Sequence, residues 1–132
     1  GHSVKSSYDI QKGDVITAHV PVIEGQKIIP EDIPLNIVYE DDLCLAFRDI
    51  NPQAPKHILM IPKITDIDRV ANANDSHKNL LGHLILKSNE VAKAQDLQDY
   101  RLVINNGEGA GQTVFHLHIH ILGGRTMSWP PG

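Results

Sequence analysis

The stretch Phe-His-Leu-His-Ile-His-Ile-Leu-Gly-Gly, residues 115–124, places a histidine at every second position with Leu or Ile between. Period two is the period of a β-strand, whose side chains point to opposite faces in turn. The pattern predicts a strand over 116–122, with Leu117, Ile119 and Ile121 facing a core and His116, His118 and His120 sharing the other face. An ordinary amphipathic strand carries Thr, Lys or Glu on its polar face. Three aligned imidazoles point to chemistry.

The rest of the chain limits which chemistry. A length of 132 residues is about one domain, large enough to bury a core without staples. No run approaches the roughly 18 apolar residues of a membrane helix, and no charged-then-apolar leader precedes the domain. Gly1-His2-Ser3 reads as a cloning scar. Cys44 has no second cysteine to pair with, which fits a reducing compartment. Net charge is −4 with neutral histidines and no Lys/Arg cluster occurs, which argues against DNA or RNA as a partner. A small nucleotide stays compatible, because backbone amides can hold one phosphate.

Working outward from the histidines, "NNGEGAGQT" (105–113) spaces Gly107, Gly109 and Gly111 alternately and delivers the chain onto them. Glycines let backbone N–H groups converge on an anion. No Gly-Lys-Ser/Thr follows, and a strand follows where a dinucleotide fingerprint needs a helix. Further upstream, "YRLVIN" (100–105) reads as a strand. Leu80, Leu81, Leu84, Ile85, Val91 and Ala92 fall on one face of a helix over 75–97, capped by Asn74, Asp75 or Ser76. "NIVYEDDLCLAF" reads as strands 36–40 and 43–48, "DINPQAP" as a loop, and "KHILMIP" as a strand ending at Pro62. Residues 4–23 read as an extension with room for one strand. The expected form is an α+β domain, an antiparallel meander of about five strands with the long helix on one face.

Three functions fit a histidine row. One is metal binding: His116 and His120 would lie about 13 Å apart on a strand, so zinc would take two neighbours plus a ligand such as His57, with Cys44 a poor candidate. Another is plain polar surface. The third is nucleophilic catalysis by an imidazole that is uncharged near neutral pH, with neighbours that orient it and contact a phosphate. The third also accounts for the glycine loop.

His116-Leu117-His118-Ile119-His120-Ile121-Leu122 has the form of the histidine triad signature, and the resemblance runs further. "IVYEDDLCLAFRDINPQAPKHILMIPK", "LLGHLI" and "YRLVINNGEGAGQTVFHLHIHILGGRTMSWPPG" resemble the nucleotide-binding Hint branch of the histidine triad family over roughly residues 27–132. The ending Trp129-Pro130-Pro131-Gly132 is particular to that branch. The resemblance implies a histidine triad domain over 24–132 whose sheet continues across a homodimer. It implies His118 as nucleophile, His120 on the phosphate or leaving group, His116 orienting the nucleophile through its carbonyl, and His57 as the fourth catalytic histidine. Asp49 would bind both ribose hydroxyls, with Phe47, Ile50, Ile28 and Arg48 around the base. Asn105, Gly111, Gln112, Thr113 and Val114 would contact the phosphate and leaving group. Trp129 would reach the partner subunit's leaving-group side.

The implied activity is hydrolysis of purine nucleoside phosphoramidates and aminoacyl-adenylates to the nucleoside monophosphate. It needs no cofactor or metal, no nucleic acid and no membrane, and the expected location is the cytoplasm, extending to the nucleus. A non-enzymatic nucleotide-binding scaffold, a zinc-binding regulator and a dinucleoside polyphosphate hydrolase are the alternatives. His83 reads as structural, His19 and His77 as surface. This sequence departs from the family at "IEGQKII", which lacks the usual aromatic, at Arg48 and Thr113, where histidine and serine are common, and at "NNG", where Asn-Glu-Gly is commoner.

Overall fold

The computed structural model describes residues 36–132 together with the backbone of two short strands, β1 (Val22–Ile23) and β2 (Gln26–Lys27), which pair antiparallel. The expected boundary after residue 23 falls in that hairpin. Ile28, His19 and the segment before residue 22 lie outside the described residues.

Five further strands form one antiparallel sheet: β3 (Ile37–Glu40), β4 (Cys44–Arg48), β5 (Lys56–Pro62), β6 (Tyr100–Val103) and β7 (Ile119–Gly123). The spatial order is β3-β4-β5-β7-β6, so the meander expectation is corrected: the histidine strand inserts between β5 and β6. Helix α1 (Lys78–Ala94) makes the crossover from β5, and β6 is left at the sheet edge.

Alternation then sorts the side chains. Cys44, Ala46, Ile58, Met60, Ile119 and Ile121 face α1 and pack with Leu84, Val91 and Ala92. Burial of each large aliphatic side chain stabilises the fold by roughly 1.5–3 kcal/mol. That exceeds the whole span of about 1 kcal/mol among strand propensities, so Ile119 and Ile121 keep β7 in register despite His120 between them. The opposite face carries Leu45, Phe47, Leu59 and Ile61, all buried, and is the face that receives His57 and His120. Ile85, expected on the buried face of α1, is 38% exposed.

The helix ends are specified locally. Asn74 accepts a hydrogen bond from the Ser76 N–H, and His77 Nδ1 accepts from the Asn74 N–H, a reciprocal cap opening a short 3-10 turn, Asp75–His77, that runs into α1. His77 is therefore buried, bonded also to Asp66, and not a surface residue. At the other end the Leu97 N–H donates to the Ala92 carbonyl and the Asp96 N–H to the Lys93 carbonyl, with Asp96 at φ 61°. This is the Schellman arrangement, in which glycine is the usual left-handed residue. Asp96→Gly is expected to raise stability by about 1 kcal/mol, measured by urea unfolding. No gain would show that the Asp96 carboxylate compensates for the strain. No helix among the described residues is long and apolar enough to cross a membrane.

Candidate active site

The loop 49–55 closes onto the start of β5. The Asp49 N–H donates to the His57 carbonyl (2.9 Å), and the Gln53 N–H donates to His57 Nδ1 (3.0 Å). Asp49 Oδ1 accepts from the Asn51 N–H (2.8 Å), so Asp49 does shape a turn as Asx residues do, while its Oδ2 lies 3.5 Å from His57 Nε2. His57 meets His120 diagonally across the β5–β7 ladder, Nε2 to Nδ1 at 2.9 Å. The His118 and His120 rings lie edge-on, 5.0 Å between centroids.

Together Asp49, Asn51, Gln53, His57, Gly111, Thr113, His118 and His120 line a cavity of about 340 Å³. A larger one, about 740 Å³, lies at the C-terminal end of α1 among Leu97, Tyr100, Arg101 and Arg125 and contains no imidazole. The chemistry selects the smaller.

The expected three-histidine face is corrected. The strand begins only at Ile119; at 116–118 the chain has left the sheet, and the Leu117 N–H donates to the Ile67 carbonyl. The His116 ring is fully buried and its Nε2 bonds the Pro62 carbonyl (2.9 Å). The His116 backbone remains in the site, because its carbonyl accepts from His118 Nδ1 (2.7 Å). A carbonyl can only accept, so His118 carries its proton on Nδ1 and presents the Nε2 lone pair.

Burial lowers the pKa of all four imidazoles below the ordinary 6.5. For His118 the bond to the His116 carbonyl and the Asp49 charge partly oppose it. For His57 Asp49 opposes and His118 adds to the lowering. His116 is pushed down to about 4 by burial. His120 falls to about 4, by burial and by the His118 and His57 rings beside it. Near neutral pH all four are uncharged.

Several amides of the glycine loop are engaged within the loop itself. It closes on itself through a 3-10 turn, Glu108–Ala110, with Gly107 and Gly111 at φ 92° and 97°, which only glycine adopts readily. The N–H groups of Ala110 and Gln112 donate to the Gly107 carbonyl, and that of Gly111 to the Glu108 carbonyl. Gln112 is the internal strut: its buried carboxamide accepts from the Gly107 N–H and donates to the Asp68 and Val114 carbonyls. Its side chain is thus committed to the loop, while Gly111 and Thr113 face the cavity. Asn105 stands behind Gly111, where an added Cβ would come within 3.6 Å of its Nδ2.

One further residue is placed differently from its expected role. The Arg48 side chain donates to Gln95 Oε1 (2.5 Å) at the end of α1 and is turned away from the imidazoles. Phe47 is fully buried on the sheet face of His57 and His120, and Ile50, next to Asp49, is 46% exposed. Asn51 and Gln53 were not read from the sequence, although their place between Asp49 and His57 was the available signal.

Among the described residues, two groups could offer metal-ligand atoms. In Asp49, His57 and His120 these atoms lie within 4.8 Å of one another, but the two ring nitrogens are already bonded to each other. In the Asp41–Cys44–His83 group, Asp41 accepts from Tyr39, His83 and the Leu43 and Cys44 amides. Burial pushes the Cys44 thiol up to about 12, so it is not a thiolate. His83 thus has the structural role expected of it, pinning α1 to the β3–β4 turn.

A family model described as HIT domain matches residues 31–127. An uncharacterized HIT-like protein of Synechocystis sp. is 61% identical over 107 residues, spanning 80% of this chain and 93% of that protein. A "14 kDa zinc-binding protein" of Zea mays is 54% identical over 108 residues, spanning 80% and 84%. Among solved structures, a HIT family hydrolase from Legionella pneumophila superposes with a TM-score of 0.72 at 48% identity, covering 76% of this chain and 90% of its own. A histidine triad protein from Clostridium difficile gives 0.68 at 40% identity, covering 73% and 84%.

Proposed function

The chain belongs to the HIT domain family, and on that premise we propose that it hydrolyses purine nucleoside phosphoramidates and aminoacyl-adenylates by double displacement through His118. The observation that carries the reading is the His118 ring, fixed by the His116 carbonyl with Nε2 as a free lone pair beside Asp49, Thr113 and His120. The similarity to HIT family hydrolases supports hydrolysis as the reaction class.

In the first step His118 Nε2 attacks phosphorus, the phosphorus–nitrogen bond breaks, and the amine departs with a proton taken from water. His118 is left as a nucleotidyl-histidine. In the second step water attacks the same phosphorus, the bond to Nε2 breaks, the proton this water sheds neutralises the hydroxide left by the first step, and nucleoside monophosphate leaves with the neutral imidazole restored. Asp49 Oδ2 faces the ribose hydroxyls as an acceptor, Ile50 borders the base, and Gly111 and Thr113 border the phosphoryl group. Turnover of an adenosine phosphoramidate by the purified protein tests the reading; nucleotide binding without turnover would leave the scaffold alternative.

No step uses a metal. EDTA-treated protein is expected to keep its full hydrolysis rate, followed by release of AMP. Loss of activity that zinc restores would overturn the metal-free mechanism and favour the chemistry in the maize relative's name.

We further propose a homodimer joined along the β6 edge, where unpaired strand groups await a partner. Leu86 on α1 and Trp129 are 62% and 81% exposed, and Arg101 of β6 stacks on Trp129 and donates to the Ser128 carbonyl (2.9 Å), holding the tail along that edge. Trp129 would then serve the partner's leaving-group side, a large rigid surface for an amine. Deleting residues 128–132 is expected to change selectivity among leaving groups more than adenosine binding. Mixing tail-deleted chains with His118→Ala chains should restore wild-type selectivity in heterodimers. Heterodimers that restore nothing would exclude a tail acting across the interface.

A further inference from the structure

Building on the proposed hydrolase, we infer that His57 is a positioning residue that locks His120 in one neutral tautomer, so that His120 acts as a fixed Nε2–H donor and never as an imidazolium acid.

One chain of hydrogen bonds runs from Gln53 through His57 to His120. The Gln53 backbone N–H can only donate, and it points at His57 Nδ1 from 3.0 Å. His57 Nδ1 is therefore the acceptor, and the neutral ring carries its proton on Nε2. That nitrogen lies 2.9 Å from His120 Nδ1, so it donates there, with Asp49 Oδ2 at 3.5 Å as a second, longer acceptor. His120 Nδ1 is then an acceptor in turn, and the His120 proton sits on Nε2. Among the described residues, His120 Nε2 is buried without any hydrogen-bond partner. An N–H left unmade at such a site is costly unless a ligand completes it, and a phosphoryl oxygen is the complementary group.

A protonated His120 is incompatible with this chain. It would put an N–H on Nδ1, facing the His57 Nε2–H across 2.9 Å. Relief would require His57 to move its proton to Nδ1, where the Gln53 N–H already points. One backbone amide, two rings away, thus sets the state of the group that meets the phosphate. The charged and titratable groups facing His120 from the packed elements are Asp49, His57 and His118; none is a cation near neutral pH. The proton taken by the leaving amine then comes from water at the open side of the cavity.

The test is 15N NMR of histidine-labelled protein, with His120 and His57 assigned by substitution, from pH 5 to 8. The expected result is His120 with an unprotonated Nδ1 and a protonated Nε2 throughout, and His57 likewise. A His120 that is doubly protonated, or protonated on Nδ1, at pH 6–7 overturns the lock. This reading needs no turnover, so it fails or stands separately from the proposed hydrolysis. In the active enzyme, His57→Phe is expected to lower kcat on the order of 10²-fold, the usual effect of losing one preorganised donor. KM should change little, and a new limb should appear in the kcat pH profile as His120 becomes free to titrate. His57→Gln, which keeps an N–H donor, should recover part of the rate. Unchanged kcat and pH profile in a folded His57→Phe variant would also overturn the lock.

Discussion

His118→Ala is expected to lower kcat for an adenosine phosphoramidate on the order of 10⁴-fold or more, the scale seen when a covalent nucleophile is removed. Affinity for AMP should change only a few-fold. The reason for the split is geometric. His118 contributes the Nε2 lone pair, whereas Asp49, Asn51, Gln53, Gly111 and Thr113 line the rest of the cavity with His57 and His120. The substitution also releases the His116 carbonyl, which loses only one hydrogen bond at the cavity edge. Stopped turnover with retained binding is the expected pattern, measured by steady-state kinetics and calorimetric titration. Near-normal turnover would exclude His118 as the attacking group.

Asp49→Asn is expected to raise KM about 10²-fold with a much smaller effect on kcat. A hydrogen bond to a charged partner contributes roughly 1.5–3 kcal/mol, and the carboxylate would accept from two ribose hydroxyls. Asparagine retains one oxygen for the Asn51 N–H, so the 49–55 loop should keep its shape. The Asp49 charge raises the His57 and His118 pKa values against burial. Its removal lets both fall further, which leaves them uncharged at neutral pH and spares the chemical step. Preference for ribose over 2′-deoxyribose substrates should largely disappear in the variant. An unchanged KM with that preference intact would mean that Asp49 only builds the turn.

Much of this was legible in the sequence because period and burial agree. Leu117, Ile119 and Ile121 mark the core side of the histidine segment, and they are buried. What alternation cannot report is where the backbone leaves the sheet. Leu117 is held by the Ile67 carbonyl outside the strand, so the pattern continues while the strand does not, and His116 turns inward. The strand order was likewise hidden: β7 pairs with both β5 and β6, and no local pattern in these strands says that it lies between them.

Side-chain-to-backbone bonds account for most of the other differences. Gln112 lies next to the catalytic segment and could equally have faced a phosphate; its three bonds across the loop made it a strut instead. Arg48 alternates onto the helix side of β4, a consequence of strand parity that the turn at Asp49 obscures. His77 stands three residues after Asn74, the spacing of a reciprocal helix cap, and that spacing could have distinguished it from a surface histidine. The histidines at 57, 118 and 120 converge because β5 and β7 are neighbours, a tertiary fact that no local pattern contains.

The most direct measurement of the central claim is capture of the covalent intermediate. Protein mixed briefly with an adenosine phosphoramidate, quenched in alkali to preserve the phosphorus–nitrogen bond, and mapped by peptide mass spectrometry should carry one AMP group on His118. The adduct should form and decay at rates consistent with turnover and be absent from His118→Ala. Turnover without any adduct on His118, or an adduct on another residue that persists in His118→Ala, would contradict double displacement through this histidine.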